Sequence, residues 1–194
     1  MGQTLWFASR ATGLVALVLL TTSLALGVAM AGRAAGPRWP RFALGAVHRN
    51  LSLTTLMFLA VHVSTAVIDP YAKIGWLDAV VPFVSVYQPF WLGLGAVALD
   101  LMLAVLVTSV VRPRVGPRLW RAVHWSGYLC WPVAVVHGLG IGGKDSELGW
   151  VIALNAFCAL VVLFAVFWRL RTRGTDPDHE ARQATGAFAS VRGR

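Results

Sequence analysis

Charged residues are scarce in this sequence of 194 residues: they make up 13% of it, whereas hydrophobic residues make up 57%. Soluble domains average roughly 25% charged residues, so an ordinary soluble globule is excluded. Only two cysteines occur, Cys130 and Cys158, which excludes a disulfide framework and a cysteine-rich metal site. Acidic residues are also few, and the formal net charge is +9. In a membrane chain such an excess marks cytoplasmic loops rather than a nucleic-acid partner.

Apolar runs of about 20 residues recur along the chain, and this is the length that crosses a bilayer as a helix. A span in lipid must satisfy its own backbone hydrogen bonds, so the sequence predicts an all-α integral membrane protein. We expect a bundle of five transmembrane helices, at about residues 5–31, 43–68, 91–111, 119–140 and 149–169. The first run lacks a preceding basic region and is too long for a signal peptide, so we expect it to be retained.

The loops between these runs alternate in charge, which predicts their sides of the membrane. The second and fourth loops are slightly acidic, whereas the first loop, the third loop and the end of the last span are basic. The basic residues are Arg33, Arg38 and Arg41 in the first loop, Arg112, Arg114 and Arg118 in the third, and Arg169, Arg171 and Arg173 at the end of the last span. The positive-inside rule then predicts a multi-pass protein of the cell membrane with its N-terminus outside and its C-terminus in the cytoplasm. An odd number of spans also requires termini on opposite sides.

The second loop contains an aromatic segment, Tyr71–Phe90, that is broken by Pro82 and Pro89. Because Trp and Tyr favour the headgroup level, we expect this segment to lie along the outer interface as an anchor. The alternative is a lid over a site at the outer face.

The last residues of the chain differ in composition from the rest. Residues 171–194 combine low hydrophobicity with mixed charge, so we expect a disordered basic cytoplasmic tail that follows a membrane domain of residues 1–170. His179 lies in this tail and is predicted to be a solvated side chain.

The other four histidines lie in two predicted spans, His48 and His62 in the second and His124 and His137 in the fourth. Ionisable groups inside a membrane span are costly and mark candidate functional sites. Separations of 14 and 13 residues correspond to about 21 Å and 19.5 Å along a helix. We therefore expect His48 and His124 to share a level near the cytoplasm, and the other two histidines to share a level near the outside.

Two facing imidazoles at one level are what six-coordinate heme iron requires. Two such levels predict two stacked b-type hemes with the four histidines as axial ligands. The helical phase fits less well, because 13 residues turn the second ring about 140° from the first. Pro132, between His124 and His137, is predicted to kink or rewind the helix. Polar side chains satisfied by neighbouring helices and a transition-metal site are the other interpretations of these histidines.

The two histidine pairs, together with the run SRATG at residues 9–13, resemble the ferric reductase-like transmembrane domain. Ferric reductases, NADPH oxidases and the heme subunit of bacterial methionine-sulfoxide reductase systems share this domain, and the resemblance covers about residues 5–170. Many family members carry one more helix at the N-terminus.

The resemblance implies a cytochrome b of the oxidoreductase class that moves electrons outward through its heme iron. The acceptor would be ferric iron, oxygen or a flavoprotein outside the cell. Because no flavin and NADPH module follows the spans, we expect a separate flavoprotein reductase or a quinol as donor. Whether flavin or quinone also binds to this chain stays open.

A few charged positions are further candidates near the predicted hemes. By the resemblance, Arg10 contacts an outer heme propionate, for which its guanidinium is suited, or else it snorkels to the outer headgroups. Arg49 and Arg121 are candidates to hold the inner propionates, and anchoring of the cytoplasmic side explains them equally well. Asp100, in the middle of the third span, is interpreted as hydrogen-bonded to a ligand histidine, as a proton relay or quinone contact, or as a protonated structural residue.

Two other functions remain compatible with the sequence. One is a transporter of protons or metal ions that uses the histidines and Asp100, although no inverted repeat is evident. The other is a heme-bearing membrane-anchor subunit of a larger oxidoreductase, without turnover of its own.

Overall fold

The computed structural model describes residues 2–31 and 40–172. Over these residues the chain is helical and contains no strand, with seven α-helices and one 3₁₀ turn. The α-helices are α1 (Gly2–Ala31), α2 (Arg41–Ile68), α3 (Trp76–Val80), α4 (Pro89–Val110), α5 (Arg112–Trp125), α6 (Gly127–Ile141) and α7 (Gly149–Thr172). The 3₁₀ turn, Gly143–Glu147, joins α6 to α7. The prediction of an all-α membrane protein is confirmed.

Four of the helices in the described part of the chain are long and apolar enough to cross a membrane: Thr4–Ala31, Arg41–Ile68, Pro89–Val110 and Gly149–Arg171. They agree with four of the five predicted spans. Large apolar side chains on their outer faces are exposed, for example Met57 on α2 and Phe164 on α7. Such faces are expected where a helix meets lipid rather than water.

The fourth predicted span, residues 119–140, is not one continuous helix. It is divided at Ser126 between α5, which is polar and basic, and α6, whose 15 residues extend over about 22 Å. Within α5, Gly116 takes a positive φ of 75°, a conformation that glycine adopts readily because it has no Cβ. The break lies upstream of Pro132, which remains inside α6. The interruption at Ser126 was not predicted, and a phase correction by Pro132 stays a prediction.

Helix α1 lies at the centre of the bundle, where it contacts α2, α6 and α7, while α4 packs against α6. Two side chains of α6 bond to these neighbours. The Trp131 indole N–H donates to Thr21 Oγ1 on α1 at 2.8 Å, and the Cys130 thiol donates to the Ala98 carbonyl on α4 at 3.3 Å. Thr21 and Cys130 are both buried, so α6 is fixed between α1 and α4 at mid-height.

The aromatic segment between α2 and α4 forms only the short helix α3, with no spanning helix. Pro89 does not break a helix here, since it is the first residue of α4, where its missing N–H costs nothing. Tyr71 packs edge-on against Trp6 of α1, and Phe83 packs against Gly93 of α4. The segment therefore covers the ends of α1 and α4.

Several predicted features fall outside the described residues. These are Arg33 and Arg38 of the first loop, Arg173, His179 and the predicted tail beyond Thr172.

Candidate functional site

The structure brings the four histidines of the spans together as two pairs. His48 on α2 faces His124 on α5 with 6.3 Å between ring centroids, and His62 on α2 faces His137 on α6 at the same 6.3 Å. The planes within the pairs are inclined at 68° and 82°. We call these the inner pair (His48 and His124) and the outer pair (His62 and His137).

The break at Ser126 explains how both pairs form although their spacings differ. His48 and His62 lie on the single helix α2, where 14 residues bring the chain back to within about 40° of the same face. His124 and His137 lie on either side of Ser126, whose N–H bonds to the Val123 carbonyl three residues back, so an uninterrupted α-helical repeat does not relate their directions. Each can therefore point at its own partner on α2.

Three of the rings donate a hydrogen bond from Nδ1 to a backbone carbonyl on a neighbouring helix. The acceptors are Ser23 O for His48 at 3.1 Å, Ser9 O for His62 at 2.8 Å and Trp91 O for His137 at 2.8 Å. A carbonyl only accepts, so Nδ1 carries the proton in each ring and Nε2 keeps its lone pair. Metal-bound histidines almost always make a hydrogen bond of this kind.

His124 is held differently. Its Nδ1 is buried and has no hydrogen-bond partner within residues 2–31 and 40–172. Instead the ring stacks on Trp120, with centroids 4.9 Å apart and planes 25° apart, and the guanidinium of Arg112 also lies over the Trp120 indole, 4.1 Å from its centroid. The inner pair is therefore asymmetric, with one hydrogen-bonded ring and one stacked ring.

A cavity of about 450 Å³ adjoins the outer pair and reaches inward as far as Thr55 and Cys130. This volume lies in the usual range of small-molecule sites, roughly 300–1,000 Å³. Its lining is mostly apolar, and Ile74 and Ala79 contribute from the aromatic segment. The cavity provides room for a flat apolar group beside His62 and His137.

Arg10 lines this cavity together with the outer pair. Its guanidinium donates to the carbonyl oxygens of Gly142 at 2.9 Å and Ile141 at 3.4 Å, and its Nε lies 3.7 Å from the Asp145 carboxylate. It also stacks over Trp6 at 4.3 Å. Arg10 therefore binds the C-terminal end of α6, a place where a cation is favoured. A contact with a heme propionate stays a prediction.

The remaining predicted site residues are not brought to the histidine rings by the observed contacts. Arg49 and Arg121 are exposed, and Arg121 lines a separate shallow surface cavity on α5. Asp100 does not accept from the Nδ1 atoms of His48, His62 and His137, because backbone carbonyls do. The propionate contacts of the two arginines and a proton role for Asp100 stay predictions.

Sequence reasoning missed the residues that hold the rings. On α1 the run SRATG (9–13) is followed 14 residues later by SLALG (23–27), and the same interval separates His48 from His62 on α2. Each run supplies the serine carbonyl that binds one ring and the glycine beside it. The 14-residue interval shared by the two runs and the two histidines is the sequence signal that could have identified these residues.

Spanning apolar helices and two facing histidine pairs define a multi-pass helical membrane protein with two matched imidazole sites. Comparison with known families matches residues 12–135, more than half of the chain, to the ferric reductase like transmembrane component. The chain belongs to this family, as its histidines predicted, and at a coarse level its function is transmembrane electron transfer. Searches of curated proteins and of solved structures return no match.

Proposed function

We propose that the chain binds two b-type hemes, one in the inner pair and one in the outer pair, and conducts electrons across the membrane between them. The observation that carries the proposal is the equal centroid separation of 6.3 Å in both pairs. A metal ion midway between two imidazoles, at about 2 Å from each nitrogen, keeps the ring centroids roughly 6 Å apart. The residues present therefore fit the group that the family generally binds.

The set of donor atoms favours heme over a bare metal ion. Each pair offers two imidazoles, whereas a protein-bound Zn²⁺ ion takes four ligands. Within the described ranges 2–31 and 40–172, no group of three or more His, Cys, Asp or Glu side chains could hold a metal ion. A porphyrin brings four nitrogen ligands of its own, so two axial histidines complete six-coordination.

The chain's own residues bind and orient the hemes. When bound, each heme supplies one-electron chemistry, because its iron alternates between two oxidation states. The histidines hold the iron, and the carbonyls of Ser9, Ser23 and Trp91 fix three of the rings in the tautomer that leaves Nε2 for the metal. Apolar side chains from α1, α2, α4 and α6 line the outer cavity and would pack against the macrocycle.

In this proposal the chain crosses the membrane five times, with α5 and α6 together as the fourth crossing. Support comes from the pairing itself. His124 and His137 face two residues that lie about 21 Å apart along α2, so segment 124–137 extends over a similar height. The N-terminus then lies outside, and the arginines of α5 and of the end of α7 lie in the cytoplasm.

Electrons would enter from a cytoplasmic flavoprotein or a quinol and leave to ferric iron, oxygen or a flavoprotein outside. The test is a dithionite-reduced minus oxidised spectrum of the detergent-purified chain, with heme quantified per polypeptide. We expect the bands of b-type heme and two hemes per chain. A colourless chain after expression with sufficient heme would overturn the proposal and favour the proton or metal-ion transporter. Stoichiometric co-purification with a soluble enzyme would instead favour the anchor subunit.

A further inference from the structure

Three of the four ring contacts share one construction. The carbonyl that accepts from the ring belongs to the residue four positions before a glycine: Ser9 before Gly13, Ser23 before Gly27, and Trp91 before Gly95. Two of these units lie on α1 and serve rings of α2, and the third lies on α4 and serves a ring of α6. We call each unit a carbonyl–glycine slot.

The glycine in each slot is where the ring passes close to the helix backbone. A Cβ built on Gly95 would lie 2.6 Å from Cε1 of His137, and one built on Gly13 would lie 2.9 Å from Cε1 of His62. Contacts below 3 Å do not occur between real Cβ atoms and their neighbours, so the ring would have to move. At Gly27 the Cβ would lie 3.4 Å from Cε1 of His48, which is an ordinary contact.

We propose that Gly13, Gly27 and Gly95 are positioning residues that let three ligand imidazoles reach a backbone carbonyl and so fix their orientation toward the iron. The inference rests on the proposed heme function. Its physical basis is that a Cβ at Gly13 or Gly95, or a larger side chain at Gly27, displaces the ring from the carbonyl, which removes the Nδ1–H bond and turns Nε2 away from the metal. Loss of a partner of this kind typically lowers metal affinity or activity by about 10- to 100-fold.

The inference predicts which site each glycine serves. Gly13→Ala and Gly95→Ala should weaken heme retention at the outer pair by about 10- to 100-fold and leave the inner pair intact. Gly27→Ala should be tolerated, whereas Gly27→Val, with two further methyl groups, should affect the inner pair only. Among the alanine variants, the loss of heme retention should be largest for Gly95, smaller for Gly13 and smallest for Gly27, because the three Cβ distances increase in that order.

The test uses the full chain purified in detergent as a single species. Heme per polypeptide is measured together with the electron paramagnetic resonance spectrum of the ferric protein, which responds to the angle between the two ligand planes. Both pairs have steeply inclined ring planes, at 68° and 82°, so the signal of each site is assigned with His62→Ala and His48→Ala, which each keep one site. Gly149→Ala on α7 is the matched control, since a Cβ there meets no atom within 4 Å.

The outcomes separate this inference from the proposed function. A wild-type chain without heme would contradict the proposed function itself. Two hemes in the wild type, with unchanged content and signals in Gly13→Ala and Gly95→Ala, would overturn the positioning role alone. Loss of both hemes from Gly13→Ala would also overturn it, because that slot faces only His62. Selective change of the outer signal is the result that supports it.

Discussion

His124 differs from the other three histidines in the way its ring is held. His48, His62 and His137 each donate from Nδ1 to a carbonyl, whereas the His124 ring stacks on Trp120, four residues earlier on α5. A hydrogen-bonded imidazole is a more basic ligand with a fixed orientation. We therefore expect His124 to be the most easily displaced of the four ligands.

Removing the stacking partner should affect the inner site alone. In Trp120→Leu the ring of His124 loses an aromatic contact of about 0.5–1.5 kcal/mol, which corresponds to roughly a twofold to tenfold weaker hold on the inner heme. Titration with imidazole or cyanide, followed in the absorption spectrum, measures how easily the ligand is displaced. Trp120→Phe keeps an aromatic ring and serves as the control. Equal displacement in the wild type and Trp120→Leu would contradict the stacking role.

The pairing of the histidines makes a separate prediction for each level. Replacing His62 or His137 by alanine should remove the outer heme and retain much of the inner one, and replacing His48 or His124 should do the reverse. Heme content and the reduced-minus-oxidised spectrum of each purified variant check this. His179→Ala should leave both unchanged. If every single variant kept two hemes, the ligand assignment would be wrong.

At the scale of the helices, the C-terminal end of α6 is held by a side chain of α1, Arg10. The C-terminal end of α6, which follows His137, has its last carbonyls satisfied by Arg10 from α1. Asp145 lies 3.7 Å from the same guanidinium, but half of its side chain is exposed. A hydrogen bond from a charged donor contributes about 1.5–3 kcal/mol, whereas an exposed ion pair contributes about 0–1 kcal/mol. The carbonyl contacts therefore matter more than the ion pair.

Two substitutions separate these contributions. Arg10→Met should lower the stability of the detergent-purified chain by about 1.5–3 kcal/mol, because the carbonyls of Ile141 and Gly142 lose their donor. Asp145→Asn should cost less than about 1 kcal/mol, since the guanidinium keeps both carbonyls. Thermal unfolding followed by tryptophan fluorescence compares the two. Equal losses of stability would mean that the ion pair, not the capping of α6, is what stabilises this end.

Considered as one bundle, the chain has a basic helix before α6 and a turn of mixed charge after it. Arg112, Arg114, Arg118 and Arg121 all lie on α5, while Lys144, Asp145 and Glu147 lie in the 3₁₀ turn after α6. If α5 and α6 together form a crossing, these two regions lie on opposite sides of the membrane. If α6 only enters and returns, they lie on the same side.

Cysteine labelling distinguishes the two arrangements. A membrane-impermeant maleimide added to intact cells should label Lys144→Cys, whereas Arg114→Cys should react only after permeabilisation. The native Cys130 and Cys158 are buried, so the unmodified chain should give little background and is the control. Labelling of both variants from outside would contradict the five-crossing topology.

The sequence by itself determined the membrane class, the places of four apolar helices and which four of the five histidines lie in the predicted spans. Helix length and the scarcity of charge follow from the thickness and low dielectric of lipid, so these properties are written into composition and run length. The intervals of His48–His62 and His124–His137 already predicted two levels. Such intervals give the heights of the rings and their angular spacing on an uninterrupted helix, but they do not show where a helix is interrupted.

The tertiary structure decided where the fourth predicted span breaks and what orients each ring. The helix is interrupted at Ser126, and both of its parts, α5 and α6, pack against α4. The slots depend on contacts between helices, in which a glycine on one helix leaves space for a ring of another. A single sequence does not specify which faces of two helices meet, so Gly13, Gly27 and Gly95 acquire a role only once α1 lies against α2 and α4 against α6.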